Sequence, residues 1–259
     1  MSHHFLDTIL EEKKREVDAL HTQGFSQADP GIPRYSFFQA IGRPSLSLIA
    51  EVKQASPSKG IIRSLFDPVS LATQFEASGA MALSVLTETT SFLGHLDFIA
   101  RIKQAGVRLP ILRKDFIIDS LQLEASVRAG ADAVLLIASL VSQERLFSLH
   151  AYALSIGLEV LVEVHHELEL SVVQTIPGIR MIGINNRDLR TFTVDEALAT
   201  RLKKQVSPLF KGLIVAESGY QQLSQLSSLQ AEGFDAVLIG EGLIKNPDLT
   251  TFFSSKGPL

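Results

Sequence analysis

Short runs rich in apolar residues punctuate the chain, and between them apolar positions recur every three or four residues. The runs predict strands at Leu46–Lys53, Ala80–Thr87, Pro110–Phe116, Ala133–Ala138, Glu159–Val164, Met181–Asn186, Lys211–Ser218 and Asp235–Gly240. Most are close to continuous rather than alternating, as parallel strands covered by helices on the outside must be. The intervening amphipathic stretches, among them Leu121–Ala129, Ser142–Ile156 and Tyr220–Ala231, predict helices. Eight strands alternating with helices over about 210 residues match the count and length of a closed (β/α)8 TIM barrel.

An internal repeat supports closure. The segments S-G-A-M-A-L-S-V-L, A-G-A-D-A-V-L-L-I and E-G-F-D-A-V-L-I-G place Gly79, Gly130 and Gly233 just ahead of strands, 51 and 103 residues apart. Gly178, 48 residues after Gly130, falls in the gap. A spacing near 51 is two strand–helix units, so these glycines are expected to end helices before strands 2, 4, 6 and 8. An open doubly wound sheet is the other fold this pattern allows, but it does not call for even spacing along the whole chain.

Residues 1–45 precede the barrel, which is read as 46–259, the whole forming one domain. Leu6, Ile9, Leu10, Val17 and Leu20 make an apolar stripe at helical spacing, with E-E-K-K-R-E on the opposite side. Tyr35 to Ile41 reads as a second short helix. A helix closing one end of the barrel is the expectation.

Composition narrows the function. With 20% charged residues and a net charge of −4, no face is basic enough to make nucleic acid the main partner. No apolar run approaches the roughly 18–20 residues that cross a bilayer, and the N-terminus turns charged too soon for a signal peptide, which points to the cytoplasm. The absence of cysteine excludes thiolate chemistry and Cys-ligated zinc. The seven histidines include no H-x-x-x-H pair. His165 and His166, being adjacent, must point apart, and both read as surface residues or as supports for a neighbour.

Barrels of this type gather their chemistry at the C-terminal ends of the strands. Here strand 1 ends with Glu51 and Lys53, two apart and so on one side; strand 3 with Arg113, Lys114 and Asp115; strand 5 with Glu163; strand 6 with Asn185 and Arg187; strand 7 with Glu217 and Ser218. Ionised groups inside a barrel are costly unless paired or solvated, so five strands charged or polar at one end predict a shared polar site. The glycine-rich turns E-S-G after strand 7 and I-G-E-G after strand 8 can bring backbone N–H groups to an anion, as phosphate sites in barrels do. A phosphate ester is the expected ligand class. The connection after strand 1, Q-A-S-P-S-K-G-I-I-R, is long enough to be a lid or binding loop, though a polar surface loop would share its composition.

E-V-K-Q-A-S-P-S-K-G resembles the first-strand signature of the indole-3-glycerol-phosphate synthase family. L-R-K-D-F, L-V-E-V-H, G-I-N-N-R-D-L and V-A-E-S-G resemble that family's motifs on strands 3, 5, 6 and 7, in order, and L-T-E-x-x-x-F-x-G resembles its loop after strand 2. The likeness runs from about Phe5 to Phe253. It implies a barrel with an N-terminal helical extension, and a carboxy-lyase of tryptophan biosynthesis. Its implied substrate is 1-(2-carboxyphenylamino)-1-deoxyribulose 5-phosphate, converted with loss of carbon dioxide and water and without metal or organic cofactor. Lys114 then matches the general acid and Glu163 the catalytic carboxylate, with Glu51, Lys53, Asn185 and Ser218 completing the catalytic set. Ser56, Arg187 and Glu217 match substrate-binding positions, and Lys53, Gly219, Gly240 and Glu241 phosphate-binding ones. Either lysine could act at ring closure or at dehydration, and Lys53 could equally hold the phosphate. Tyr220, Gly242 and Ile244 depart from the expected pattern; Tyr220 is expected to open a helix. The rival readings are another phosphate-binding barrel enzyme, such as a ketose isomerase, and an inactive barrel kept as a binding module. The sequence sets no oligomeric state; a monomer is the working expectation.

Overall fold

The computed structural model describes residues 3–25 and 31–254; positions 1–2, 26–30 and 255–259 of the expected extension and barrel lie outside them. Two helices, α1 (His3–Gln23) and α2 (Phe37–Ile41), precede eight parallel strands: β1 (Ser47–Val52), β2 (Ala82–Leu86), β3 (Ile111–Lys114), β4 (Ala133–Ile137), β5 (Glu159–Val164), β6 (Met181–Asn185), β7 (Leu213–Glu217) and β8 (Ala236–Ile239). Each strand pairs with the next, and β8 closes on β1 through Ser47↔Ala236 to Ala50↔Ile239, giving a complete barrel rather than an open sheet. The expected strands all form, one or two residues shorter at several ends, and β5 has the expected bounds.

Outside the strands lie α3 (Pro68–Ala77), α4 (Asp97–Gln104), α5 (Ser120–Ala129), α6 (Gln143–Ser155), α7 (Glu167–Val173), α8 (Leu198–Lys203), α9 (Leu223–Ala231), α10 (Glu241–Lys245) and α11 (Thr251–Ser254). Their starts follow local chemistry. Asp67 caps α3, with Pro68 as its first residue, and Asp119 and Gln122 cap α5 reciprocally. Gly79, Gly130, Gly178 and Gly233 all take the left-handed conformation, and so do Gly106 and Gly157 ahead of β3 and β5. The spacing near 51 therefore caught alternate members of a more frequent device. Gly130 is the left-handed C-cap of α5, where a side chain would also strike Ile32.

The core has two layers. One packs strand faces against helices through residues such as Leu48, Val85, Val134 and Ile182. The other fills the barrel's interior with Ile49, Leu112, Leu161, Met181, Val215 and Leu238. Side chains alternate along a strand, so the inward residue two positions later is Glu51, Lys114, Glu163, Gly183, Glu217 and Gly240 respectively. The same alternation that fills the lower barrel with hydrocarbon lines its upper end with polar groups and small gaps.

The extension occupies both ends of the barrel, not one. Phe37 and Ile41 of α2 are fully buried and plug the lower end, where Ser36 Oγ and the Phe38 N–H donate to the Glu159 carboxylate at 2.8 Å each. Helix α1 lies across the upper end. Of its apolar stripe only Ile9 is fully enclosed; Leu6, Leu10, Val17 and Leu20 are half-buried. Lys13, expected on the solvent side, is buried, with Nζ 2.7 Å from Asp115 and 2.6 Å from Glu16. Arg113 joins them, 2.7 Å from Asp115, while also donating to the Gln122 carbonyl of α5. A sequence pattern ranks lysine as polar; here a buried anion on the barrel draws it inward.

Candidate active site

A cavity opens at the C-terminal ends of the strands, and its lining includes Glu51, Lys53, Ser56, Lys114, Glu163, Asn185, Arg187, Glu217, Ser218, Gly219, Gly240 and Glu241. These are all the residues assigned a catalytic, substrate or phosphate role from the sequence; Arg113, named with them at the end of strand 3, lies outside the lining and turns instead to Asp115 and α5. At its centre the Lys114 ammonium lies 2.7 Å from Glu163 Oε2 and 3.2 Å from Glu217 Oε2. Both carboxylates are almost wholly enclosed, while Lys114 keeps 15% of its side chain open to the cavity. Glu51 and Lys53 form a second ion pair next to the first.

One ammonium between two buried carboxylates cannot keep both ionised at little cost. Burial pushes Lys114 down, but Glu163, Glu217 and Glu51 together reverse this and hold it above the ordinary lysine range. Burial likewise pushes Glu163 up, and Lys114 with His165 more than offsets it, so Glu163 stays ionised. Glu217 is pushed up to about 8, by burial first and then by the neighbouring Glu163 charge, with Lys114 opposing only in part. At neutral pH the cavity thus holds an ammonium with a carboxylate 2.7 Å to one side and a carboxylic acid 3.2 Å to the other.

Asn185 and Arg187 are joined locally: the Arg187 N–H donates to Asn185 Oδ1 at 3.0 Å, and Arg187 Nη1 donates to the Phe192 carbonyl. After β7, Ser218 sits in the left-handed region (φ 65°), followed by Gly219 at 93°. Asn186 Nδ2 holds that turn by donating to the Ser218 carbonyl and to the Tyr220 hydroxyl, each at 3.1 Å. Tyr220 is buried in this turn, and α9 begins only at Leu223, so the expected helix start at Tyr220 is corrected by three residues. The departures at 220 and 242 touch each other: a Cβ at Gly242 would overlap the Tyr220 carbonyl oxygen.

Gly240 precedes α10, and Gly240, Glu241 and Gly242 at the start of that helix line the cavity. A side chain there would overlap Glu51 Oε1 and come within 2.9 Å of Lys53 Nζ, so the glycine serves the ion pair as well as the turn. The Glu241 side chain turns to Lys245 at 2.6 Å, which leaves only its backbone N–H to offer an anion. The loop after β1 forms a small antiparallel ladder, Ala55–Ser56 with Gly60–Ile61, and presents Ser56 to the cavity.

The aromatic part of the lining was not nominated from sequence. Phe5 of α1, Phe92, Phe116 and Phe192 make it up, with Phe5 edge-on to Phe192 at 4.8 Å and to Phe116 at 6.4 Å. Two of these stood inside recognised motifs, Phe92 in L-T-E-x-x-x-F-x-G and Phe116 in L-R-K-D-F, but an aromatic carries no mark of facing a ligand rather than a core. Glu88 fixes the Phe92 loop by accepting from the N–H groups of Thr90, Ser91 and Phe92 at 2.7–2.9 Å. Of the adjacent histidines, His166 is exposed, as a surface residue should be, while His165 is buried beside Glu163.

Among the described residues, no three or more His, Asp or Glu side chains are grouped as ligands for a metal ion, and no helix is long and apolar enough to cross a membrane.

Comparison with known proteins agrees with this arrangement. The family model described as indole-3-glycerol phosphate synthase matches residues 6–255. Curated proteins of that name are similar along almost their full length: one from Geobacillus sp. (strain WCH70) is 45% identical over 94% of this chain and 93% of its own. Those from Halalkalibacterium halodurans (44%, covering 93% and 91%) and Chlorobium phaeovibrioides (44%, covering 95% and 96%) are comparable. With the barrel, the strand-end polar groups and these likenesses in agreement, the chain belongs to the indole-3-glycerol phosphate synthase family.

Proposed function

We propose that this cavity closes the indole ring of 1-(2-carboxyphenylamino)-1-deoxyribulose 5-phosphate, releasing carbon dioxide and water and yielding indole-3-glycerol phosphate in tryptophan biosynthesis. The observation that carries the reading is the Lys114 ammonium, held between Glu163 and Glu217 and facing an aromatic wall. The aromatic carbon bearing the carboxylate attacks the ketone carbon, and the ketone oxygen takes a proton from Lys114 as charge develops on it. Positive charge then spreads over the ring and the anilino nitrogen, where the fixed Glu163 carboxylate stabilises it. The carboxyl group leaves as carbon dioxide, its bonding electrons restoring the aromatic ring. Finally the new hydroxyl leaves as water, with a proton supplied to it and another removed from the neighbouring carbon.

Lys53 with Glu51 is our choice for that last exchange. Lys53 lies against Gly240, at the phosphate end of the cavity, which favours Lys114 for ring closure and leaves Lys53 free also to neutralise the phosphate. Ser218, Gly219, Gly240 and Glu241 offer backbone N–H groups to the phosphate. Ser56, Arg187 and Asn185 bind and orient the remaining polar atoms, and the phenylalanines hold the anilino ring. This reading includes a cytoplasmic monomer that needs no metal or organic cofactor.

The test is direct. The purified chain in excess chelator, given this substrate, should generate indole fluorescence at a rate that saturates with substrate. No product at any concentration would leave an inactive binding barrel, and turnover of a ketose isomerase substrate instead would place the chain in that class.

A further inference from the structure

His165 stands two residues beyond Glu163, so strand alternation turns both to the same side. Its Nε2 lies 3.2 Å from Glu163 Oε1, an ion-pair contact, and neither of these buried atoms makes a hydrogen bond among the described residues. The other carboxylate oxygen, Oε2, takes the Lys114 ammonium. The imidazole is itself held from behind. Glu169, in the first turn of α7, accepts from the His165 backbone N–H at 2.6 Å and lies 3.6 Å from Nδ1 with the same oxygen. Charges therefore alternate along one buried line, Glu169, His165, Glu163 and Lys114, running from the start of α7 to the middle of the cavity.

We propose that His165 is a positioning residue for the reaction: clamped by Glu169, it fixes the orientation of the Glu163 carboxylate and keeps the negative charge there rather than on Glu217. The inference rests on reading Glu163 as the catalytic carboxylate. Without the imidazole, Glu163 Oε1 is a buried carboxylate oxygen that has lost the positive charge beside it. The carboxylate must then turn away from its alignment or take the proton that Glu217 carries, and either change removes a fixed anion from the site where positive charge develops. Burial lowers the proton affinity of His165, but its contacts with Glu163 and Glu169 raise it to about 9, so the imidazole is charged at neutral pH. No contact of His165 with the cavity is needed for this role.

A double-mutant cycle on turnover tests it. His165→Ala should lower kcat by about 10–100-fold, the scale of a misplaced reactive group, with KM within about threefold. In a Glu163→Gln background the same change should alter kcat by less than about twofold, because a residue acting through Glu163 has nothing left to position. Should His165→Ala fail to give the circular dichroism of a folded barrel, His165→Gln replaces it. That variant keeps a neutral donor toward Oε1, and is expected to lose about three- to tenfold alone and almost nothing beside Glu163→Gln. Wild-type kcat in the His165 variant, or equal losses in both backgrounds, overturns the proposal. Wild-type turnover by Glu163→Gln alone overturns instead the catalytic reading of Glu163.

Discussion

Gly183 on β6 lies against the Glu217 carboxylate of β7: a Cβ on residue 183 would overlap Oε1 and approach Cδ to 3.3 Å. The strand pairing sets this up, with Gly183 opposite Val215 and Asn185 opposite Glu217, so the carboxylate leans back over a position that carries no side chain. Gly183→Ala should displace Glu217 from Lys114. The expected outcome is a stability loss of about 1–3 kcal/mol from overpacking, with reduced turnover. Adding Glu217→Ala should restore much of the melting temperature and none of the activity. A single variant as stable and active as the parent would show that the carboxylate has another place to go.

Lys114→Ala separates the two lysines. A general acid contributes about 10²–10⁴-fold, so kcat should fall by that much while KM changes far less, since phosphate and ring contacts remain. Turnover close to the parent's would pass the ring-closure role to Lys53, whose ion pair with Glu51 stands alongside.

The barrel was legible because its signals are local and repeated. Apolar runs, the glycines before strands, and polar residues at one end of five strands all survive reading one position at a time. Lys114, Glu163 and Glu217 could be nominated for the same reason, since strand number and strand end fix which rim a residue reaches. Their proton distribution could not be read, because it depends on one ammonium serving two enclosed carboxylates from three strands. Lys13 was misassigned on similar grounds: its partner Asp115 is 102 positions away, and nothing in E-E-K-K-R-E distinguishes the third residue. Tyr220 was placed in a helix because Y-Q-Q-L-S-Q-L has helical periodicity, whereas the turn that begins at Ser218 runs on through it, tied to Asn186.

The raised proton affinity of Glu217 sets a direction for stability against pH. Its ordinary value near 4.5 applies to the unfolded chain and about 8 to the fold, so between these the folded state binds the extra proton. The stability contributed by Glu217 therefore falls as pH rises from about 4.5 to 8 and levels off above. Glu217→Gln is neutral in both states and removes this component. Its melting temperature relative to the parent should climb steadily between pH 5 and 8. The difference cancels the separate contributions of Glu163 and His165, which both proteins share. A difference that is flat with pH would mean that Glu217 is ionised in the fold.

The buried cluster under α1 links the extension to substrate affinity. Lys13 and Arg113 both reach Asp115, Thr87 Oγ1 donates to it at 2.5 Å and the Phe116 N–H at 2.8 Å, so removing Lys13 leaves the carboxylate with three partners rather than none. Lys13→Met should therefore cost about 1–3 kcal/mol, short of the loss expected for an abandoned buried charge. That loss falls on the docking of α1, because Lys13 and the weaker Glu16–Arg113 pair are its ionic ties to β3 and the residues just after it. Phe5 is carried on the same helix and stacks edge-on against Phe116 and Phe192 in the cavity wall. Among the described residues, none of the charged groups lining the cavity belongs to α1, so a loosened helix should raise KM more than it lowers kcat. Limited proteolysis should release α1 faster from the variant, and saturating substrate should slow that release by drawing Phe5 back against the ring. Unchanged KM together with unchanged cleavage would show that the helix is held by its apolar contacts alone.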